Sequence, residues 1–391
     1  MHIDFKNILN NAECSINNAL LSIAGGKLFL FYSSLPDAAG GGFQGAECNY
    51  FLENFPMSAN FSMQFENTKD FKKARKGYFK LFPNAKKAFF QVNTDKKYNF
   101  QLAYGVFLNN IYNYLEIFEK NNIPFIFVLY PGGGFGIDNE ESDRKLKRVF
   151  SSKMFVKVIT TMPASQEYLL NKNLCPEEKI EYIYGVVPQN KGSFEKYFYK
   201  KDKDTFDICF IAHKYSSKGQ DKGYDTFIET AQKLAPVNKD IHFHIIGPWE
   251  NTIDTSSINP EQLHFYGTKP GCFLAEFYKK ADIIITANRY QMIYPGNFDG
   301  YPLGIEASLA GVYVMNTDPL NMKPKTPLKD IKGFEVITND ADRIAESIIK
   351  KLDNLEAFYK DTKEQHEGAI KIFDKDIQLK ARLDIVKQYV K

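Results

Sequence analysis

A rhythm limits the folds open to this chain more than any single motif. Short apolar runs, most of them stopped by glycine or proline, alternate with segments of helical spacing, and the pattern occurs twice. The first series comprises residues 27–32, 88–92, 123–130, 156–160 and 180–188; the second comprises 206–211, 241–247, 263–267, 282–286 and 312–315. Runs such as Ile283, Ile284 and Ile285 suit strands covered on both faces, while 102–121, 223–234 and 273–281 read as helices. Strands alternating with helices predict an α/β protein with doubly wound parallel sheets. The polar stretch 189–205 reads as a linker. The expected organisation is a Rossmann-like N-terminal domain over 1–188, a second over 189–370, and a terminal helix within 371–391 packing back on the first. A ligand is then expected in the cleft between the carboxyl ends of the two sets of strands.

Composition narrows the class. A chain of 391 residues exceeds one comfortable core, and 44% hydrophobic with 25% charged residues is the balance of a globular protein. No apolar run approaches the ~20 residues that cross a bilayer. Met1 to Lys6 lacks a basic stretch followed by an apolar one, so no signal peptide is expected. Cys14, Cys48, Cys175, Cys209 and Cys272 form no C-x-x-C pair and read as reduced thiols of a cytoplasmic protein. A net charge of +3 is too small to argue for nucleic acid. His242 and His244 alternate in a strand-like run, one core and one exposed, and lack a third ligand, so no metal site is expected. Lysine far outnumbers arginine, and such usage accompanies AT-rich bacterial genomes.

Two segments carry chemistry. In one, Asp299 precedes Gly300, Tyr301, Pro302, Leu303 and Gly304; Glu306 and Ala307 then open a small-residue helix that ends at Gly311. A helix starting just after Gly300 and Gly304 aims unpaired N–H groups and the positive end of its dipole at whatever lies ahead, a site for a diphosphate. Glu306, one turn in, is placed to take two hydroxyls of a sugar or ribose. The plainer reading is an ordinary loop–helix–strand unit. The other segment, 210–225, leaves a strand and enters a helix across His213, Lys214, Lys218 and Lys222, with Gly219 and Gly223 among them. Cations there neutralise a diphosphate, and glycine lets the backbone approach it. The plainer reading is a solvated lysine loop.

Together these segments resemble the family-4 retaining glycosyltransferases (group 1). Asp299 and Glu306 stand where the family has its Glu-x7-Glu acids, one residue closer together here, and Glu306, Ala307 and Gly311 keep the second half of the signature. Lys222, Gly223 and Asp225 match the family's Lys-Gly-x-Asp, whereas its arginine has no clear counterpart, His213 or Lys214 lying nearest. The run ending in Gly247 is similar to the family's strand ahead of the nucleotide. Phe265, Gly267 and Thr268 resemble the strand whose trailing backbone meets the base, and Tyr278, Ala281 and Asp282 match a family helix end. Covering 210–318, the resemblance implies a GT-B fold whose active site lies in the inter-domain cleft and whose second domain binds a nucleotide-sugar donor. It assigns Lys222 and His213 or Lys214 to the diphosphate, Glu306 to the ribose, and the turn from Asp299 to Leu303 to the transferred sugar, with Lys218 and Gly304 as further donor-binding candidates. It also implies retaining transfer in which the leaving diphosphate takes the acceptor proton, with no obligatory metal and no cofactor beyond the donor.

In the first domain, Gly40, Gly41 and Gly42 and then Gly132, Gly133 and Gly134 are candidate backbone-lined loops facing the donor; the plainer reading of the second is a flexible turn. The family often carries a histidine there, but this chain has none between His2 and His213. Over 69–87, cations interleave with Phe71, Tyr78 and Phe82 around a helix that Gly77 is expected to interrupt, a pattern that suits either an anionic membrane surface or a solvated helix with an aromatic core stripe. The resulting expectation is a cytoplasmic enzyme at the inner face of the cell membrane, adding a sugar to a glycan, lipid-linked or protein-linked acceptor in bacterial surface polysaccharide or glycoprotein assembly. The alternatives are an epimerase or phosphorylase on the same fold, and a non-catalytic GT-B-like subunit that stabilises a partner transferase.

Overall fold

The computed structural model describes residues 25–31, 42–55, 57–62, 68–81, 89–91, 95–188, 203–214, 216–249, 253–269, 271–289 and 301–391. The chain falls into two compact units, one joining Met1–Val187 to Gln378–Lys391 and the other formed by Pro188–Ile377.

The first unit holds strands β1 (Gly26–Phe31), β2 (Ala59–Ser62), β3 (Phe89–Gln91), β4 (Phe100–Val106), β5 (Phe125–Leu129), β6 (Phe155–Thr160) and β7 (Ile180–Tyr182). Between them run α1 (Gly42–Asn54), α2 (Thr68–Leu81), α3 (Leu108–Asn121), α4 (Glu140–Phe150) and α5 (Pro163–Asn171). All pairings are parallel, in the order β3-β2-β1-β4-β5-β6-β7. The order reverses between β1 and β4, as in a doubly wound sheet.

One sequence expectation fails here. Residues 102–121 do not form one helix: Phe100–Val106 is the strand between β1 and β5, and α3 begins only at Leu108. A continuous apolar run satisfies both periods, so pairing decides the outcome. Gly105 makes that pairing possible, since a Cβ there would lie 2.3 Å from the Phe31 carbonyl oxygen. Phe107 ends the strand with φ of 71°. A second correction concerns Gly77, which lies inside an unbroken α2. On that helix Phe71 and Arg75 are buried, the guanidinium 5.8 Å from the centre of the ring, whereas Lys69, Lys72, Lys73 and Lys76 are exposed.

A last helix, Lys375–Val386, inserts a charge into the first unit. Arg382 is fully buried, with Nε 3.3 Å from the equally buried Glu47. Its other nitrogens donate to the Gln378 side chain, the Tyr130 hydroxyl and the Gly185 carbonyl, and Tyr104 donates to Glu47 at 2.6 Å. Burial pushes the Glu47 carboxyl up, against Arg382 and Tyr104.

The second unit repeats the plan with β8 (Phe206–Ile211), β9 (Ile241–Ile246), β10 (Leu263–Phe265), β11 (Ile283–Thr286), β12 (Tyr313–Thr317) and β13 (Glu335–Ile337). Its helices are α6 (Tyr224–Leu234), α7 (Gly271–Tyr278), α8 (Tyr301–Leu309), α9 (Ala341–Leu352) and α10 (Leu355–Phe373). The parallel order is β10-β9-β8-β11-β12-β13. Registered neighbours share a face, so the two faces can be read directly. One carries Phe206, Ile208, Phe210, Ile241, Phe243, Ile245, Ile283, Ile285, Tyr313 and Met315, all in one apolar core with α6. The other mixes Asp207, Cys209, His242, His244, His264, Thr286 and Asn316 with the apolar Ile211, Ile246, Ile284 and Val314.

The imidazoles of that polar face stack, with ring centres 5.1 Å apart for His242 and His264 and 4.8 Å for His244 and His264. Burial holds both His244 and His264 below the ordinary imidazole range; Asp207 opposes this at His244, and the neighbouring imidazoles add to it at His264. The unfolded chain therefore takes up protons that the folded unit refuses once pH drops below about 6.5. Stability contributed by these rings is present above that pH and is lost as pH falls toward their lowered folded values. Thermal midpoints measured from pH 8 to pH 5 are expected to fall on the acid side, and to fall less in a His244→Gln, His264→Gln double variant.

Candidate functional site

In the second unit the strand order reverses between β8 and β11, the switch point of a doubly wound sheet. The loop after β8 is shaped by two glycines. Gly219 and Gly223 have φ of 64° and 73° and bracket the 3-10 turn Gln220–Lys222. Neither tolerates a side chain: a Cβ on Gly219 would lie 2.1 Å from the Trp249 ring, and one on Gly223 would lie 2.2 Å from the Ala287 carbonyl oxygen. The turn is thus wedged between the loop after β9 and the end of β11.

Three residues missed by the sequence reading fix that wedge. Trp249 is buried, stacks on Tyr224 at 4.5 Å and donates from Nε1 to the Ala212 carbonyl at 2.9 Å. Arg289, just past β11, places Nη1 2.6 and 2.8 Å from the two carboxylate oxygens of Asp225 and 2.8 Å from the Gln220 carbonyl, while Nη2 donates to Thr226 at 2.9 Å. Asp221 is buried, accepts from the Ser216 hydroxyl, and its carbonyl accepts from the Arg289 backbone N–H at 2.9 Å. The lone tryptophan two residues after Gly247 was a usable signal; Arg289, whose contacts lie more than sixty residues back, had none.

This loop gathers the predicted cations. Lys222 is half-buried in the 3-10 turn, Lys214 is half-buried with its ammonium 5.9 Å from the Trp249 ring, and His213 and Lys218 are exposed. Gly247 (φ 135°) continues the row: a Cβ would lie 2.1 Å from the Ala212 carbonyl oxygen, and its N–H donates to Gly267 at 3.0 Å. Gly267 (φ 67°) has open space where a side chain would start, and Thr268 is exposed. The ends of β8, β9 and β10 are tied side by side.

The acidic segment needs a correction. The helix begins at Tyr301, so Gly304 lies inside it, where a Cβ would meet Val314 at 3.2 Å, and does not precede it. Tyr301, Pro302 and Leu303 form its first turn, and Gly311 (φ 75°) follows its end. Glu306 is half-buried near Tyr278, whose hydroxyl is pushed well above its ordinary value by burial first and then by Cys209 and Glu306. Asp299 and Gly300 lie outside the described residues.

In the first unit Gly40 and Gly41 also lie outside the described residues, and Gly42 opens α1. The 132–134 loop is no loose turn. Gly132 and Phe135 exchange backbone hydrogen bonds, the Asn109 N–H donates to Gly133 at 2.8 Å, and the Asn109 side chain fills the space beside Gly134. Gly132 faces open space. Among the described residues no cluster of three or more His, Cys, Asp or Glu could hold a metal, and no helix is long and apolar enough to cross a membrane.

Two Rossmann-like units, one with a glycine-bracketed, cation-rich turn at its switch point, define an α/β protein of the GT-B architecture. Residues 196–367 match the family model described as glycosyl transferases group 1. The fold is shared with HepE of Anabaena bound to UDP and glucose (13% identity, TM-score 0.62, covering 93% of this chain and 99% of that one). It is shared too with a glycosyltransferase of Rickettsia africae (17%, 0.64, 93% and 98%) and a sucrose-phosphate synthase of Thermosynechococcus elongatus (13%, 0.65, 93% and 98%). No curated protein matches the chain by sequence. Residues 196–367, within the second unit, carry the likeness to group 1 glycosyltransferases, and the chain is a glycosyltransferase.

Arg289→Ala is expected to lower the unfolding free energy by about 1.5–3 kcal/mol, the usual worth of hydrogen bonds to charged groups. Arg289→Lys should recover less than half, because one ammonium cannot span Asp225, Gln220 and Thr226 together. Urea denaturation of the three proteins checks both statements.

Proposed function

We propose that this enzyme transfers its sugar with retention to a glycan, lipid-linked or protein-linked acceptor in the assembly of a bacterial surface polysaccharide or glycoprotein. The observation that carries the donor half is the turn around Lys222. It is held rigid by Gly219, Gly223 and Arg289 at the switch point, and it sets Lys222 in a loop that also bears His213, Lys214 and Lys218. In this reading those cations take the diphosphate, Glu306 takes the ribose, and the segment from Asp299 to Leu303 takes the sugar. The backbone at Gly267 and Thr268 meets the base.

Charge is what such a transfer needs most. As the glycosidic bond breaks, negative charge builds on the leaving diphosphate, and preorganised cations stabilise it without reorganisation. The diphosphate then takes the acceptor proton, so neither a first-unit histidine nor a metal is required. UDP, bound by HepE, is the leading donor nucleotide on that likeness.

Contact with an anionic membrane through 69–87 uses the exposed Lys69, Lys72, Lys73 and Lys76; Phe71 and Arg75 face inward and cannot take part directly. Basic residues near such a surface each contribute about 1 kcal/mol.

A thermal-shift panel of UDP, GDP, CDP, ADP and dTDP tests the donor. A nucleotide at 100 times its dissociation constant adds about 2.7 kcal/mol, and no shift with any of the five would overturn the reading. Lys222→Ala is expected to lower turnover by about 10²–10³ with little loss of stability. Glu306→Gln is expected to weaken nucleotide binding in a folded protein, and unchanged titration calorimetry would remove the ribose assignment.

A further inference from the structure

Beneath the Gly267 backbone runs a buried hydrogen-bond chain that sugar transfer as described above leaves unused. The Tyr266 hydroxyl and His244 Nδ1 are 2.9 Å apart, and His244 Nε2 lies 2.6 Å from Asp207 Oδ1. Asp207 is held by Lys203 at 2.9 Å and by the Thr205 hydroxyl at 3.0 Å, and its own N–H donates to Asp282 at 2.8 Å. Lys203 also pairs with Asp282, which accepts from the Tyr359 hydroxyl at 2.8 Å. The two partners of His244 dictate its tautomer: Nε2–H donates to the carboxylate and Nδ1 accepts from the tyrosine.

Packing alone does not call for this chain. The opposite face of the same strands is covered with Phe, Ile and Tyr, whereas burying an Asp with its Lys and His carries a desolvation cost that apolar residues would avoid. Its effect is to fix one residue. Tyr266 is held at its tip by His244, along its ring by Phe277 at 5.9 Å, and at its backbone by a 3.0 Å bond to the Ile245 carbonyl. The next residue is Gly267, whose carbonyl accepts from Gly247 and whose flank is open.

We propose that His244, seated on Asp207, is a positioning residue for the donor: it holds Tyr266 so that the backbone of Gly267 and Thr268 presents its polar groups to the nucleotide base. This rests on the reading that residues 267–268 face the base. Hydrogen bonds to a base edge weaken steeply with angle, so a loosened Tyr266 weakens base recognition. The base lies away from the breaking bond, so the loss falls on ground state and transition state alike, raising KM more than it lowers kcat.

The test uses the full-length protein and the nucleoside diphosphate of the five above that binds most tightly, with pyrophosphate as a probe lacking a base. Tyr266→Phe and His244→Leu are expected to weaken the nucleotide at least fivefold, with an equal rise in KM for hydrolysis of the matching sugar nucleotide and a smaller change in kcat. Pyrophosphate affinity should stay at the wild-type value. His244→Gln, whose amide both donates to Asp207 and accepts from Tyr266, should restore nucleotide affinity to within twofold. If His244→Leu fails to fold, Tyr266→Phe decides by itself. A Tyr266→Phe protein that binds the nucleotide like wild type, or that loses pyrophosphate and nucleotide equally, overturns the proposal. If none of the five binds the wild type, the donor reading itself fails and the proposal falls with it.

Discussion

The second unit depends on one alternation. Along β8, β9, β11 and β12 the residues of one phase are apolar almost without exception, and parallel pairing brings them onto a single face against α6. Burying that face is the main favourable term, at about 25 cal/mol for each Å² removed from water. It also fixes the register, because a slip of one residue would turn Asp207, His242 and His244 into the apolar core. With register fixed, the carboxyl ends of β8, β9 and β10 lie side by side, and the loops leaving them are brought within hydrogen-bond reach.

Shape at that edge comes from glycine and charge from lysine, and neither works without the other. Gly219, Gly223 and Gly247 each lie so close to a neighbouring ring or carbonyl that a Cβ would collide. Their closeness lets the loops nest, and the nesting holds Lys222 in a turn anchored by Arg289. For the proposed transfer this matters, because a lysine on a wedged turn is ordered before the reaction, as electrostatic stabilisation requires. Opposite faces of one sheet thus do different work. The apolar face supplies folding energy, while the polar face supports the edge formed by Gly247, Tyr266 and Gly267.

The first unit solves a different problem. Its sheet extends to seven strands, and Lys375–Val386 brings Arg382 to Glu47, Tyr104 and Tyr130 in its interior. Such a buried pair adds little net stability against an apolar substitute, but removing one member leaves an uncompensated charge. The pair therefore ties the end of the chain to α1, β4 and the end of β5 in one arrangement.

The sequence by itself determined the strand–helix alternation, the division into two α/β units and the glycine- and lysine-rich loop after β8. These depend on local periodicity, on glycine's freedom at positive φ and on apolar runs too short for helices. Lys222, Gly223, Gly247 and Gly267 were read from local pattern for that reason. Tertiary structure alone decided the rest. Phe100–Val106 became a strand because β1 and β5 offered both its edges a partner, whereas its apolar run suits a helix equally well. Gly304 moved from a phosphate turn into a helix because Val314 packs against it. Arg289, Trp249, the Tyr266–His244–Asp207 chain and the Arg382–Glu47 pair join residues at least 22 positions apart, and up to 335 positions apart for the last. No window of sequence holds such pairs together; only the closing of each sheet brings them into contact.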